Sequence, residues 1–274
     1  MTQLALLQIV TSFFVGGLLV AGLSLLAERV PPRVAGIILN LPSTVAVSFF
    51  FMAIALSPKS VANALPVVPL GLSCGLVFVV VYLLVARISL AKHVSMLLSA
   101  TVATVVWLLC SLLIIQIQSP NIIFSLFIFI MTALVVQAYF FAQPCAHGVG
   151  IRVTYSAMEK LVRSLIAGTL IAIVVLLTKL AGPIGGSVMS TYPAATLSVL
   201  LILHRHYPSK ELTRFCRVAP VGFTTIVAYA MLCTVLFPLY GAWLGTLFAY
   251  FGALLYTLPL IWVLKFMEMQ FSKK

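Results

Sequence analysis

Acidic residues are scarce in this chain of 274 residues, which has no aspartate and a combined Asp and Glu count of 4. Aspartyl proteases, Asp-rich prenyl- or phosphotransferase sites, Walker B motors and most metal-dependent hydrolases need carboxylates that hold a metal ion or move a proton. The composition therefore argues against these classes. We expect a protein that is not an enzyme and that carries no cofactor.

Charge of either sign is also rare, because only 7% of the residues are charged while 63% are apolar. A soluble domain is about 25% charged and about 45–50% apolar. The composition excludes an ordinary soluble fold and indicates a polytopic membrane protein. The net charge of +12 suits contact with anionic lipid headgroups, so we expect membrane lipids as partners and no nucleic acid.

Metal-binding motifs are missing as well. The five cysteines are scattered, with no Cys-x-x-Cys pair and no spacing to histidine that suits a metal ion. They are Cys74, Cys110, Cys145, Cys216 and Cys233. We interpret them as small apolar side chains or free thiols, and we expect no metal site.

Long apolar runs dominate what is present. About 20 apolar residues are needed to cross the hydrocarbon core, and the chain contains about nine such runs. Their approximate limits are 4–27, 34–56, 65–86, 94–117, 122–142, 160–180, 184–204, 218–240 and 243–266. The connections are short and rich in Pro and Gly. The sequence predicts an all-α integral membrane protein without a soluble domain.

The basic residues fall on one side of these nine spans. Only Lys59 and Lys179 fall on the other side, so fourteen of the 16 Lys and Arg residues share one side. Because cytoplasmic loops are enriched in Lys and Arg, this predicts an external amino terminus and a cytoplasmic carboxyl terminus. We interpret His204-Arg205-His206 as part of this topology signal; an electropositive vestibule is the alternative.

Prolines repeat at an offset of 151 residues: Pro32, Pro42 and Pro69 match Pro183, Pro193 and Pro220. Each proline fixes a backbone break at the same place in its unit. We predict two four-helix units, residues 1–118 and 146–274, joined by a linking span within 119–145. The single linking helix inserts the second unit upside down, which gives a 4+1+4 inverted repeat, a frequent architecture of secondary transporters.

The second helix of each unit carries a proline among polar residues. Proline removes a helical hydrogen bond, and freed backbone groups at this depth must be buried in protein or line a wet cavity. We therefore predict a substrate-binding site formed by Asn40, Pro42, Ser43, Thr44, Ser190, Thr191, Tyr192 and Pro193. The alternative is a pair of plain kinks, in which hydroxyls bond back to their own helices and Asn40 joins two spans.

The chemistry of this site favours an anionic or neutral polar solute. Ser43 and Thr44 are expected to cap the second half of their helix, whose positive dipole end would face the centre of the protein. None of the four glutamates lies near a predicted bilayer centre, so no carboxylate is available to compensate a cation.

Gly182-Pro183-Ile184-Gly185-Gly186 followed by Tyr192-Pro193-Ala194-Ala195 resembles a pattern of GlpM-like bacterial inner-membrane proteins. The resemblance implies a multi-pass protein of the bacterial inner membrane. Paired interrupted helices are also similar to the bile-acid-symporter and sodium–proton-antiporter folds. The chain departs from both folds because it has no acidic residue to bind a membrane-embedded sodium ion or proton.

Together these features predict a small secondary transporter or exporter of an anionic or neutral polar solute that works by alternating access. The alternative is a non-transporting membrane component of envelope polysaccharide or lipid handling. Self-association into a homo-oligomer is left open by the sequence.

Overall fold

Helices make up all the regular structure in the part of the chain that the computed structural model describes, namely residues 3–29, 42–89, 91–117, 120–143, 156–207 and 209–271. They are α1 (Gln3–Arg29), α2 (Ser43–Ala55), α3 (Pro58–Ala64), a 3-10 turn (Leu65–Val67), α4 (Val68–Ala86), α5 (Lys92–Ile115), α6 (Ile122–Ala142), α7 (Ala157–Ser190), α8 (Ala194–His206), α9 (Ser209–Cys216) and α10 (Ala219–Phe271).

Six helical stretches in the described residues are long and apolar enough to cross a membrane, rather than the nine predicted. They are Gln3–Leu23, Pro58–Ala86, Lys92–Ile115, Ile122–Ala142, Ala157–Ser190 and Ala219–Leu260. The count falls for two physical reasons. The helix α2 begins after Pro42 and α8 begins after Pro193, so each has 13 residues, and α10 joins two predicted spans in 53 residues. The protein is thus an all-α, multi-pass membrane protein, and the inverted repeat stays a prediction.

Glycine divides two of the long helices. Gly182 in α7 has φ 77° and Gly241 in α10 has φ 72°, a left-handed conformation that glycine adopts without steric cost. We call the two parts of α7 α7a (157–181) and α7b (183–190), and the two parts of α10 α10a (219–240) and α10b (242–271). The break at Gly241 separates the predicted eighth and ninth spans.

Small residues hold α1 and α7a together in an antiparallel pair. A Cβ atom at Gly17 would lie 3.1 Å from the backbone oxygen of Ser164, and one at Gly168 would lie 2.6 Å from the backbone oxygen of Phe13. The Ser164 hydroxyl donates a hydrogen bond to the Gly17 carbonyl. Helices in lipid associate through close packing of this kind, since lipid and protein surfaces are equally apolar.

The centre of the molecule is α4, which is buried on nearly all sides. A helix that is apolar all round belongs in the interior. The neighbouring helices α5 and α6 bury one narrow face each and leave large apolar side chains outside, such as Leu113 at 74% and Ile123 at 75% exposure. Such an outer surface suits contact with acyl chains.

Several helix ends meet on one side of the molecule, which we call the basic end. Arg87 after α4 donates to the Gln143 side chain beyond α6 over 2.9 Å, and the Arg217 Nε donates to the Phe140 carbonyl over 3.1 Å. His206 on α8 lies 3.6 Å from the Glu159 carboxylate on α7. Arg217 satisfies backbone carbonyls at the carboxyl end of α6, and both arginines oppose its negative dipole end.

The glycine contact between α1 and α7a predicts a matched pair of effects. We expect Gly168→Ala to lower the free energy of unfolding by about 1–3 kcal/mol, because the new methyl group meets backbone. Gly22→Ala on α1 has nothing within 4 Å and should be neutral or stabilising by up to ~1 kcal/mol. Thermal unfolding in detergent, followed by tryptophan fluorescence, measures both; equal melting temperatures would contradict this packing.

Candidate functional site at the helix breaks

The second interrupted helix opens between α7b and α8. The helix α7b ends at Ser190, α8 begins at Ala194, and Pro193 between them has φ −81° and ψ 52°. Pro193 has no N–H to donate, while its carbonyl accepts the first bond of α8 from the Leu197 amide over 2.7 Å. Thr191 is 3% exposed and Pro193 is buried, so this break faces the protein interior.

The helix α2 starts in the same way as α8. The helix α2 begins at Ser43 after Pro42, which has φ −75° and ψ 50° and is buried. The Pro42 carbonyl accepts a bond from the Ala46 amide over 2.8 Å. Both prolines thus share one backbone conformation, and each begins a helix of 13 residues. Asn40, also predicted in this site, lies outside the described residues.

Neither helix start is capped by a side chain. The N-cap position is held by Pro42 in α2 and by Pro193 in α8. Neither proline has a side chain that accepts a hydrogen bond from the first turn of its helix. The expectation that Ser43 and Thr44 cap α2 is wrong, because both lie inside its first turn and a capping side chain comes from the residue before the helix. The amino ends of both helices therefore present backbone N–H groups and a positive dipole end.

Hydroxyl groups at the second break bond to their own helix. The Ser190 hydroxyl donates to the Ser187 carbonyl and the Thr191 hydroxyl to the Val188 carbonyl, each over 2.6 Å. This is the pattern expected of a plain kink. A solute would have to compete with these bonds, or bind to the lone pairs that the hydroxyl oxygens retain.

Aromatic residues surround the second break. The hydroxyls of Tyr192 and Thr104 on α5 lie 3.0 Å apart, and the rings of Trp107 and Phe78 lie edge-on at 5.0 and 6.1 Å from the Tyr192 ring. Sequence reasoning missed Thr104, Trp107 and Phe78 as site residues. The buried residues of α5 recur every four positions (Ser95, Ser99, Ala103, Trp107 and Ser111), and this spacing was the available signal.

Glycines on α4 bring the second break close to the centre. A Cβ at Gly71 would lie 2.5 Å from the Thr191 hydroxyl oxygen, and one at Gly75 would lie 2.9 Å from the Phe223 ring on α10a. Gly71 to Gly75 also spells Gly-x-Ser-x-Gly. That motif needs a strand-to-helix turn to expose its serine, whereas Ser73 is buried inside α4 and donates to the Pro69 carbonyl over 3.1 Å.

The helix α2 packs between α7b and α10a. The Met52 methyl group would lie 3.0 Å from a Cβ at Gly186, and the Phe49 ring stacks on Tyr229 at 5.9 Å. The structure therefore places Ser190, Thr191, Tyr192 and Pro193 in one segment, and Pro42, Ser43 and Thr44 at the start of α2. The helix α2 packs on α7, the helix in which Ser190 is the last residue.

Buried neutral polar atoms lie on the elements around the breaks. The hydroxyls of Ser48 on α2 and Ser187 on α7b, and the indole nitrogen of Trp107 on α5, have no hydrogen-bond partner. A buried polar group without a partner costs about 1–3 kcal/mol, so such groups are candidates for binding a solute. No cluster of three metal-ligating side chains occurs within the described ranges.

A family model described as a protein of unknown function (DUF3147) matches residues 9–120. The comparison with curated proteins gives no significant match. The comparison with solved structures gives none either. The matched range does not include the glycine and proline segments of 182–195 on which the resemblance to GlpM-like proteins rests, and that resemblance stays a prediction.

The Tyr192–Thr104 contact predicts a measurable coupling between α8 and α5. We expect Tyr192→Phe and Thr104→Val each to destabilise the protein, with a coupling energy of about 0.5–1.5 kcal/mol between them. Tyr240→Phe is the control, because Tyr240 is 51% exposed, and it should be additive with Thr104→Val. A thermal-unfolding double-mutant cycle tests this, and additivity of the Tyr192 pair would show that the hydroxyls do not interact.

Proposed function

We propose that the protein is a small secondary transporter or exporter of an anionic or neutral polar solute and works by alternating access. The observation that carries this proposal is the pair of buried prolines, Pro42 and Pro193, with one backbone conformation and an uncapped helix after each. A pair of interrupted helices in corresponding positions of two halves is the feature that points best to a transporter's binding site.

The inverted repeat is part of this proposal, and the helix boundaries support it. The helices α2, α3 and α4 begin at Ser43, Pro58 and Val68, and α8, α9 and α10 begin 151 residues later. Under the same offset α1 corresponds to α7a, and α5 corresponds to α10b after the Gly241 break. With each interrupted helix counted as one span and α10 as two, the proposed architecture has nine spans in a 4+1+4 order.

Contacts between α1 and α7a also support the repeat. Phe13 corresponds to Ser164 and Gly17 to Gly168 under the offset of 151 residues. Gly17 packs on Ser164, and Gly168 packs on Phe13. In an interface with a two-fold axis, when residue i contacts residue j, the equivalent of i contacts the equivalent of j. The antiparallel course of the two helices is the one that an inverted repeat requires.

The family match supports a modular origin. It runs over residues 9–120, which is nearly the whole of the proposed first unit, residues 1–118, and ends before α6. A family model that covers one such unit supports an origin of this chain by duplication of a four-helix unit, with the two copies joined through α6.

The distribution of charge supports the proposed topology. Arg87, Glu159, His206 and Arg217 lie at the basic end, whereas the Lys179 ammonium donates to Gln8 of α1 over 2.5 Å at the opposite end of α7a. With the basic end in the cytoplasm, the amino terminus of α1 is external. We propose this orientation in a bacterial inner membrane.

The chemistry of the breaks supports the solute class. Helix amino ends bind anions through free N–H groups and the helix dipole, and the buried polar atoms around them are neutral hydroxyl and indole groups. Where the structure describes side chains, one glutamate occurs, namely Glu159, which is part of the capping box of α7 at the basic end. A cation would therefore find no carboxylate to compensate its charge at the breaks.

Transport assays in reconstituted vesicles test the proposal. We expect uptake or efflux of at least one anionic or neutral polar metabolite from a panel. The transport rate should fall by more than about tenfold when Asn40→Ala, Pro42→Ala and Pro193→Ala are combined, because alanine allows continuous helix where proline prevents it. Pro58→Ala is the matched control, since Pro58 lies in the first turn of α3, where proline makes no helical bond. Each variant is first checked for its melting temperature.

Two outcomes would count against transport. Full activity of a correctly folded triple variant would remove the breaks from the mechanism. Absence of any flux, together with stoichiometric co-purification of another envelope protein and no stabilisation by solutes, would favour the alternative of a non-transporting component of polysaccharide or lipid handling.

A further inference from the structure

One histidine is buried between two helices. His204, near the end of α8, is 4% exposed, and Tyr82 on α4 is fully buried. The Tyr82 hydroxyl lies 3.2 Å from the His204 Nδ1 atom, and the two rings meet edge-on at 5.9 Å. Sequence reasoning placed His204 with Arg205 and His206 at the membrane surface, and the structure instead puts its side chain in the interior.

The Tyr82–His204 contact attaches the end of α8 to α4 of the first unit. Just before the start of α8, the Tyr192–Thr104 bond attaches the second break to α5. At the positions related by 151 residues, Ala53 replaces His204 and Cys233 replaces Tyr82. The first interrupted helix, α2, therefore lacks the equivalent of this contact, although its backbone starts in the same way.

The contact lies between the second break and the basic end. From the break, Tyr192 meets Phe78, Phe78 meets Tyr82 at 6.4 Å, and Tyr82 meets His204. Next to His204 along α8, His206 meets Glu159 of α7. This row of rings fills the boundary between α4 and α8, so solute moving from the break to the basic end along this boundary would have to separate Tyr82 from His204.

Among the described side chains, the charged and titratable groups around His204 come from four elements. Lys92 begins α5 and Cys216 ends α9, and both of these helices pack on α8. Arg205 and His206 follow on α8 itself, and Glu159 of α7 is held by Ser156 and His206. A positive imidazolium would therefore lie beside a second cation in a site shielded from water, which is unfavourable.

We propose that the Tyr82–His204 hydrogen bond is a proton-sensitive gate that closes the pathway between the second break and the basic end. Its role in solute movement rests on the proposed transport function. With neutral His204, the tyrosine hydroxyl donates to Nδ1 and the gate is closed. Protonation turns Nδ1 into a donor and adds a charge, which favours conformations in which the ring reaches water and the end of α8 leaves α4. The gate therefore opens as pH falls.

A native thiol reports this movement without any solute. Cys216 is fully buried at the end of α9, a helix that packs on both α4 and α8, so separation of α8 from α4 should expose it. The experiment uses the full-length protein with Cys216 as its single cysteine; Cys74, Cys110, Cys145 and Cys233 are replaced by alanine. Labelling by a membrane-impermeant thiol reagent is timed at about pH 5.5 and about pH 8, on either side of the ordinary histidine pKa of about 6.5. Each rate is divided by the rate in SDS at the same pH.

The variants separate the gate from general loosening. We expect about fivefold faster relative labelling of the parent protein at the lower pH. Tyr82→Phe should label fast at both pH values, by the same fivefold that corresponds to one hydrogen bond of ~1 kcal/mol. His204→Gln keeps a hydrogen-bonding group that does not titrate and should label slowly at both. Tyr229→Phe, at another fully buried tyrosine, is the control and should behave like the parent.

A pH response that persists in His204→Gln would overturn the proposal, as would equal labelling of Tyr82→Phe and Tyr229→Phe. Should one gate variant fail to fold, the other still decides the question. Because the readout is thiol exposure, a failure here leaves the transport assay informative, and an absence of transport does not alter the labelling result.

Discussion

The structure depends on one constraint: in a bilayer, every backbone N–H and C=O group must be satisfied within the protein. Pro193 separates α7b from α8, and Pro42 precedes the start of α2. Each backbone polar group left exposed at such a helix start would cost several kcal/mol in lipid. Both prolines are buried. The rest of the architecture provides this burial, since α4 is enclosed on nearly all sides and passes directly beside the second break at Gly71.

Small residues allow the helices around the second break to pack closely. Gly71 and Gly75 allow α4 to approach Thr191 and Phe223 at distances that a methyl group would forbid. Gly17 and Gly168 do the same for α1 and α7a. Since transfer between lipid and a helix surface yields little hydrophobic free energy, helix association here relies on dispersion contacts and on hydrogen bonds such as that from Ser164 to Gly17. The glycines are therefore as important to the fold as the larger side chains.

Hydrophobic length predicted the simple helices well and the interrupted ones less well. The predicted spans 94–117 and 122–142 agree closely with Lys92–Ile115 and Ile122–Ala142, because apolar length sets both ends. The helix α3 was expected to be a loop, yet Pro58 begins it and the Ser57 hydroxyl caps it by accepting from the Ser60 amide over 3.1 Å. A serine before a proline is a local signal for a helix start, and apolar length alone overlooks it.

The candidate site was predictable only as far as its signals are local. Prolines in matching positions located the break at Pro193 and the start of α2 after Pro42, since proline acts on its own helix. The neighbours of Tyr192 could not be read in the same way, because Thr104 and Trp107 are more than 80 residues away in sequence and a periodic pattern on α5 shows which face is buried without showing what covers it. The burial of His204 was hidden as well, because Tyr82 is distant in sequence and the basic residues Arg205 and His206 follow His204 directly.

The helices α2 and α8 start with the same backbone conformation, but different side-chain contacts attach them to their neighbours. This difference affects the two end states of the proposed alternating-access mechanism. An inverted repeat alternates because its two units can exchange conformations. If the units were chemically equal, the two end states would have equal free energies apart from the asymmetry of the membrane. The Tyr82–His204 bond has no equivalent at Cys233 and Ala53, and the Tyr192–Thr104 bond has none at Leu41 and Leu255. Each bond contributes about 0.5–1.5 kcal/mol. In the proposed mechanism these bonds favour the state in which α8 stays on α4 and α5, and a change in one of them is enough to shift the resting population several-fold.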